Sequence, residues 1–192
     1  MTTVDELLVG APPQTCFHVA ADVERWPELL PHYRRVRFLE KRGFGRGLVE
    51  MAAWRPFGGP LRYPTWWVSE MAADPEEPLI TYVHVRGITR GMDVRWEFHA
   101  RSTRSTLVRI VHEWAGPAWP LIGRFAADRV IGPKFVSAIA QRTLRGVGAE
   151  AERLAKLDAA PADPARSTAW EPIPPPDLLE RDVAHSRSRR RS

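Results

Sequence analysis

The stretch PKFVSAIAQRTLRGVGAEAERLAKL, residues 133–157, is the longest part of the sequence with a clean helical period. Its apolar residues recur at spacings of three and four, which places them on one face of a helix. The opposite face is polar, so the apolar face must be buried against another part of the protein. The residues of this face are Val136, Ile139, Ala140, Thr143, Val147, Ala151 and Leu154.

Three residues of this face are small or polar, namely Thr143, Ala140 and Ala151. Close packing of the helix on a sheet explains them, with the Thr143 hydroxyl bonded to the preceding turn. The alternative is that helix and sheet are not in full contact, and that a ligand fills the gap between them.

Short segments with alternating polar and apolar residues precede this helix and are typical of strands. The clearest is 92–100, where Trp96 and Phe98 fall on one face and Arg95 and Glu97 on the other. Antiparallel strands in series with helices at the ends indicate an α+β fold. Strands are predicted at 4–9, 33–41, 48–54, 65–71, 79–86, 92–100 and 107–114, and short helices at 14–23, 25–30 and 120–130.

The composition predicts one folded domain, residues 1–157, followed by a disordered Pro- and Arg-rich tail, residues 158–192. The tail has equal numbers of Arg and acidic residues, so the net charge of +5 belongs to the folded part and favours an acidic partner. No aromatic residue accompanies the terminal Arg cluster, so we do not expect nucleic acid binding. The alternative for the tail is a docking arm that uses Trp170 and the Leu178–Leu179 pair.

The sequence shows no signal for a membrane, for secretion or for a metal. It lacks an apolar run of about 18 residues and a charged-then-apolar N-terminus, so we expect no membrane span. The single cysteine, Cys16, excludes an internal disulfide and favours the cytoplasm. The six histidines lack metal-ligand spacing, and we predict neither a metal nor a cofactor. The glycine-rich stretch 43–47 lacks the spacing of a phosphate loop and is interpreted as a hairpin.

Alternation along the strands places polar groups inside the predicted core. If Trp96 faces the helix, then Ile110 and His112 face it from the next strand. His112 is then either a hydrogen-bonded core histidine or a general base near neutral pH, because its unperturbed pKa is about 6.5. Ser69 shares a face with Trp67 and is either bonded to the backbone or directed into the same space.

The order of several short motifs resembles START-like polyketide aromatase/cyclases of the tetracenomycin type. The motifs are Asp22-Val23-Glu24-Arg25-Trp26-Pro27-Glu28-Leu29-Leu30 followed by Tyr33, Trp54-Arg55-Pro56, Trp66-Trp67-Val68-Ser69, Arg95-Trp96-Glu97-Phe98, and the run 106–114 with Arg109 and Glu113. The resemblance covers residues 4–157. It implies a helix-grip fold, in which about seven antiparallel strands wrap around the C-terminal helix and leave a deep pocket.

The resemblance also implies a function and a partner. The family's substrate is a poly-β-ketone on an acyl carrier protein, and the reaction is aldol ring closure with dehydration. We predict His112, Tyr33, Ser69 and Arg55 as catalytic residues. We predict Trp26, Trp54, Trp67, Met71, Trp96, Phe98, Ile110 and Thr143 as contacts to a hydrophobic substrate.

One departure from the family pattern concerns position 71. The resemblance implies an arginine there that is regarded as catalytic, and this chain has Met71, which cannot donate to an enolate. One alternative is that Arg55 or Arg86 substitutes for this arginine. The others are that the protein is a non-catalytic carrier of a quinone, lipid or polyketide, or a subunit that guides a polyketide or fatty chain between enzymes. The basic run of Arg34, Arg35, Arg37, Lys41, Arg42 and Arg46 is interpreted either as a carrier-protein contact or as a solvated strand face.

Overall fold

The protein folds as one antiparallel sheet and a long C-terminal helix, with two short helices after the first strand. The computed structural model describes residues 1–56, 62–116 and 135–159. The strands are β1 (Thr2–Val9), β2 (Tyr33–Gly43), β3 (Arg46–Pro56), β4 (Arg62–Asp74), β5 (Leu79–Gly87), β6 (Asp93–Ser102) and β7 (Ser105–Glu113). The helices are α1 (Pro13–Ala21), α2 (Trp26–Leu29) and α3 (Ser137–Ala159), and a single 3-10 turn (Val23–Arg25) precedes α2. The predicted α+β, helix-grip fold is confirmed.

The sheet has the strand order β1-β7-β6-β5-β4-β3-β2, and all neighbouring strands are antiparallel. From β2 to β7, strands that follow one another in sequence are paired, as hairpin connections require. The exception is β1, which pairs with β7, the last strand in the sequence, and sets Thr3 opposite His112. The strand order therefore brings the N-terminus next to a residue that we predicted to be catalytic.

Helix α3 buries the face that its sequence period predicted. Its buried side chains include Thr143, Val147 and Ala151. Glycine allows close approach at two points: a Cβ atom at position 146 would lie 2.0 Å from Cδ2 of Leu30, and one at position 148 would lie 3.0 Å from Cδ2 of Leu7. The helix is thus held tightly against β1 and against the residue that follows α2.

The described structure leaves some of the predictions open. Within the ranges given above, no helix is both long enough and apolar enough to cross a membrane. The short helix predicted at 120–130 and the tail from residue 160 onward lie outside the described residues. The boundary proposed at residue 157 therefore stays a prediction.

Candidate functional site

A cavity lies between the concave face of the sheet and helix α3. Its volume is about 80 Å³. Its lining combines three indoles with a small number of polar groups, as is typical of pockets for small molecules. The polar or aromatic lining residues are Trp26, Trp67, Trp96, Tyr33, Tyr82, Phe135, His84, His112, Thr65, Thr89 and Thr143.

Seven of the predicted site residues line this cavity. They come from helices at both ends of the chain and from strands β2, β4, β6 and β7, because the sheet curves around α3. These residues are Trp26, Tyr33, Trp67, Trp96, Ile110, His112 and Thr143. The gap between helix and sheet that their pattern allowed is therefore present.

Ser69 and Met71 face inward but are not among the residues that line the cavity. Both follow Trp67 on the same face of β4, nearer to the β2–β3 hairpin, where a Cβ atom added to Gly45 would lie 3.6 Å from Cε of Met71. Ser69 is fully buried, and its hydroxyl has no partner among the described residues. The alternation of β4 gave the correct face, but it did not give the depth of each residue along the strand.

Two other predicted contacts also lie away from the cavity, and one cannot be placed. Phe98 packs edge-on against Phe17 of α1, with ring centroids 5.8 Å apart. Trp54 carries the Arg34 guanidinium over its ring at 4.5 Å. The side chain of Arg55 lies outside the part of the structure that is described.

The aromatic lining forms a connected cluster with polar atoms that lack partners. The ring of Trp26 lies 5.0 Å from that of Tyr33 and 5.8 Å from that of Trp96. The indole N–H of Trp26 and the hydroxyl of Tyr82 are buried without a hydrogen-bond partner among the described residues. An unmade buried hydrogen bond costs about 1–3 kcal/mol, so a bound ligand or water that satisfied these groups would stabilise the protein.

Tyr33 belongs to a small hydrogen-bonded network with Thr143 and His32. The Thr143 hydroxyl donates to the carbonyl of Ile139 (2.8 Å), so its oxygen accepts from Nε2–H of His32 at 3.0 Å. The Tyr33 hydroxyl oxygen lies 3.4 Å from the same Thr143 oxygen. Burial raises the pKa of Tyr33 to about 12, so the phenol is protonated at neutral pH and serves as a donor.

His112 is an uncharged imidazole in the cavity wall. Its Nδ1 atom lies 3.3 Å from the hydroxyl oxygen of Thr3, its cross-strand neighbour on β1. Burial lowers the pKa of His112 from 6.5 to about 4. The expectation of a base that titrates near neutral pH is therefore corrected: the ring is neutral at pH 7, and its lone pair is available but weakly basic.

His84 is a second imidazole in the same wall, and the sequence argument missed it. Burial, with a smaller effect of nearby His112, lowers its pKa to about 3. Its ring stacks on that of Trp67, with centroids 5.8 Å apart and planes inclined by 15°. The alternation of Ile80, Tyr82 and His84 along β5 is a signal that would have placed this ring on the inner face.

Most cations of the basic run on β2 and β3 are engaged within the protein. Arg35 and Arg37 both pair with Glu50, at 3.0 and 2.9 Å. Further pairs join Lys41 to Glu24 and Arg42 to Glu40 and Glu70, while Arg46 donates to the carbonyl of Ala73. The paired charges leave this strand face less basic than its sequence indicated.

The described residues include no group of three or more His, Cys, Asp or Glu side chains that could hold a metal ion.

Residues 9–131 match the family described as polyketide cyclase / dehydrase and lipid transport. The chain belongs to this family. No curated protein sequence matches it at a significant level.

Several solved structures are similar to the chain over most of its length. The ZhuI aromatase/cyclase from Streptomyces sp. R1128 is 22% identical, with 80% of this chain and 94% of that one covered and a TM-score of 0.68. The protein TTHA0849 from Thermus thermophilus is 18% identical, with 84% and 100% covered and a TM-score of 0.66. A START superfamily protein from Mycobacterium smegmatis is 16% identical, with 81% and 97% covered and a TM-score of 0.56. At such identities the likeness is one of fold.

Proposed function

We propose that the protein is an aromatase/cyclase of the tetracenomycin type. Its substrate is a poly-β-ketone carried by an acyl carrier protein, and its reaction is aldol ring closure followed by loss of water. The observation that carries this proposal is the neutral imidazole of His112, which shares an indole-lined cavity with the protonated phenol of Tyr33. Membership of the polyketide cyclase/dehydrase family supports it.

The proposed chemistry needs a base and a donor, and no oxidant. Neutral His112 removes a proton from a methylene between two carbonyls, and the resulting enolate carbon forms a bond to a second carbonyl carbon. That carbonyl oxygen takes a proton from Tyr33 and becomes a hydroxyl, and the proton held by His112 restores the phenol. In the dehydration His112 removes a proton from the neighbouring carbon, the carbon–oxygen bond breaks as the double bond of the ring forms, and the hydroxyl takes up that proton and leaves as water.

In this proposal the cavity, with a volume of about 80 Å³, encloses the reacting segment, and the rest of the chain extends out toward its carrier. The walls of Trp26, Trp67 and Trp96 hold that segment in one conformation and keep water out. The carrier protein itself is a proposed partner by resemblance, since the basic run that suggested its contact is largely paired within the chain.

A second candidate function is a non-catalytic carrier of a hydrophobic molecule such as a quinone, lipid or polyketide intermediate. The specific observation in its favour is Met71, which occupies the position where the resemblance implies an arginine and is 1% exposed in the core. Thioether sulfur is a poor partner for developing negative charge. A carrier needs only the cavity and its unpaired donors.

One experiment separates the two functions. The full chain is added to a ketosynthase and carrier protein that together make a poly-β-ketone, and the products are identified by mass spectrometry. Binding is followed separately by quenching of tryptophan fluorescence with 1-phenyl-1,3-butanedione. For an enzyme, His112→Gln lowers the rate of cyclised product about 10²- to 10⁴-fold while the diketone still binds.

The matched control is His99→Gln, which changes an exposed imidazole on the outer face of β6 and should leave both assays unchanged. Wild-type protein that binds the diketone but never alters the product mixture would support the carrier. Failure of both binding and product formation would contradict both functions.

A further inference from the structure

His84 is held by a residue of the turn that follows its own strand. Nδ1 of His84 lies 2.7 Å from the hydroxyl oxygen of Thr89, and both residues line the cavity. Two hydrogen bonds hold the backbone of this turn. The Gly91 N–H donates to the His84 carbonyl, and the Trp114 indole N–H donates to the Arg90 carbonyl. His84 therefore has a fixed ring position with one nitrogen already occupied.

A break in strand pairing turns this part of β5 toward the cavity. Ser69 of β4 pairs with His84, but the next inward residue of β4, Trp67, pairs with Gly87, so β5 has one extra residue in between. Such a bulge reorients side chains locally. A Cβ atom on Gly87 would lie 2.5 Å from the Trp66 carbonyl oxygen, and the residue has a φ of +98°. The bulge and the glycine let the Trp67 and His84 rings stack.

The hydrogen bond with Thr89 determines which ring nitrogen of His84 carries the proton. Thr89 is buried. Among the described residues, the hydrogen-bond partner of its hydroxyl is Nδ1 of His84. If Thr89 donates to Nδ1, both atoms are satisfied. If Nδ1 carries the proton, the Thr89 hydroxyl hydrogen has no acceptor among the described residues, and leaving it unpaired costs about 1–3 kcal/mol. The favoured state therefore has its proton on Nε2, the ring nitrogen that remains for a ligand.

The hydrogen-bond partner of His112 is more exposed and more distant than that of His84. Thr3 is only partly buried on the edge strand β1, and its hydroxyl lies at the longer distance of 3.3 Å from Nδ1. Because solvent can satisfy this hydroxyl in either orientation, the Thr3 oxygen can accept a hydrogen bond from Nδ1–H as readily as its O–H can donate one to an unprotonated Nδ1. His112 can therefore present an unprotonated Nε2 to the cavity, while His84 presents Nε2–H.

We propose that His84 is a catalytic hydrogen-bond donor to the reacting carbonyl oxygen, fixed in this role by Thr89, while His112 takes the carbon-bound proton. This inference rests on the proposed cyclase function and deepens it. The bond that forms joins the enolate carbon to the carbonyl carbon, and the π electrons of the carbonyl move to its oxygen. Nε2–H of His84 stabilises that oxygen by a hydrogen bond, without losing its proton.

The position of His84 also explains how the described part of the cavity wall, which includes no Lys or Arg side chain, can polarise a carbonyl. Met71 offers no donor, and its cross-strand neighbour on β5 is Tyr82, with His84 two residues further on. Both Tyr82 and His84 line the cavity. Tyr82 and His84 thus place two donors on β5, in addition to Tyr33 on β2, and a preorganised neutral donor is effective because it needs no reorganisation during the reaction.

The first test measures the tautomer and does not depend on activity. The full chain, labelled with ¹⁵N, is studied at neutral pH by NMR correlations through two bonds between imidazole nitrogens and carbon-bound hydrogens, and the His84 signals are assigned by their loss in His84→Gln. We expect His84 to carry its proton on Nε2, and addition of 1-phenyl-1,3-butanedione to shift that nitrogen. A His84 ring protonated on Nδ1 would overturn the proposal.

The second test uses variants that keep the imidazole. Thr89→Val removes the hydroxyl at nearly constant volume, and we expect a mixture of His84 tautomers and about a tenfold slower formation of cyclised product; Thr89→Ser should restore both. His84→Phe removes the donor outright, with an expected loss of about 10²- to 10³-fold. Thr81→Val, on the outer face of the same strand, is the matched control.

Different results would refute the role of His84 and the cyclase function. Unchanged cyclisation in Thr89→Val, or in a folded His84→Phe protein, would refute the role of His84 while the cyclase function stands. Absence of cyclised product with wild-type protein would refute the cyclase function and with it the catalytic role of His84.

Discussion

The imidazole of His32 and the hydroxyl of Thr143 meet although 111 positions separate them in the sequence, with Nε2 of His32 3.0 Å from the Thr143 oxygen. The bond joins the residue before β2 to the middle of helix α3. Because the Tyr33 hydroxyl is 3.4 Å from the same oxygen, this contact also sets the position of a phenol in the cavity wall. The helix is thus attached to the sheet by a polar contact at the site itself.

The first prediction concerns this contact. Thr143→Val keeps the shape of the side chain but leaves the buried His32 N–H without its acceptor, so we expect the free energy of unfolding to fall by about 1–3 kcal/mol. Urea denaturation followed by tryptophan fluorescence measures it. Thr143→Ser retains the hydroxyl and should lose less. Equal stability of Thr143→Val and wild type would contradict the hydrogen-bond assignment.

The second prediction concerns acid. Folded-state pKa values are about 3 for His84 and about 4 for His112, and both lie below the ordinary value of 6.5. At a pH between the folded-state value and 6.5, the unfolded chain therefore binds more protons than the folded one. Their stabilising contribution is complete above pH 6.5 and is lost as the pH falls from there. Each contributes a slope of up to about 1.4 kcal/mol per pH unit.

Urea midpoints between about pH 5 and pH 7.5 test this, since most carboxyl groups remain ionised in that range. His112→Gln should flatten the pH dependence of stability relative to the wild type. A wild-type stability that does not change between pH 7 and pH 5 would argue against neutral buried imidazoles.

The third prediction concerns the helix glycine at position 146. Alanine is the better helix former by about 1 kcal/mol, but its Cβ would lie 2.0 Å from Cδ2 of fully buried Leu30. We therefore expect Gly146→Ala to destabilise the protein by about 1–3 kcal/mol. In a double-mutant cycle with Leu30→Ala, the alanine at 146 should become neutral or favourable. A simple gain in stability from Gly146→Ala alone would show that Leu30 moves aside at little cost.

The fourth prediction concerns the single thiol. Cys16 is buried in α1, and burial raises its pKa to about 11, so little thiolate forms at about pH 8. We expect no alkylation by iodoacetamide in the native state and complete alkylation in urea, measured by mass spectrometry. The thiol introduced by Thr103→Cys, in the exposed β6–β7 turn, should react in the native state and serves as the positive control. Fast native alkylation of Cys16 would show that α1 opens readily.

Residue patterns predicted the elements of this fold because each element buries one face. The strict alternation that sets Trp96 and His112 inward, and the period that sets Thr143 inward on α3, depend only on local geometry. The pairing of β1 with β7 is a long-range contact without such a signal, and resemblance to a known fold supplied the overall arrangement. Local pattern and resemblance together were enough to place seven site residues around one cavity.

The remaining errors have two physical causes. Alternation assigns a face but not a depth, so Ser69 and Met71 were expected beside the substrate although they lie further along β4. The role of His84 depends on a bulge and on Thr89 in a turn, and neither follows from a repeating pattern. His32 likewise acquires its role from a partner more than 100 positions away.

The order in which the cavity walls occur along the sequence has a consequence for synthesis of the chain. All seven strands precede helix α3, and the helix supplies the last described wall. While the ribosome is still producing residues 137–159, the indoles of Trp26, Trp67 and Trp96 have no helix to cover them. The inner face of the sheet therefore lacks its cover until α3 has been made and has left the ribosome.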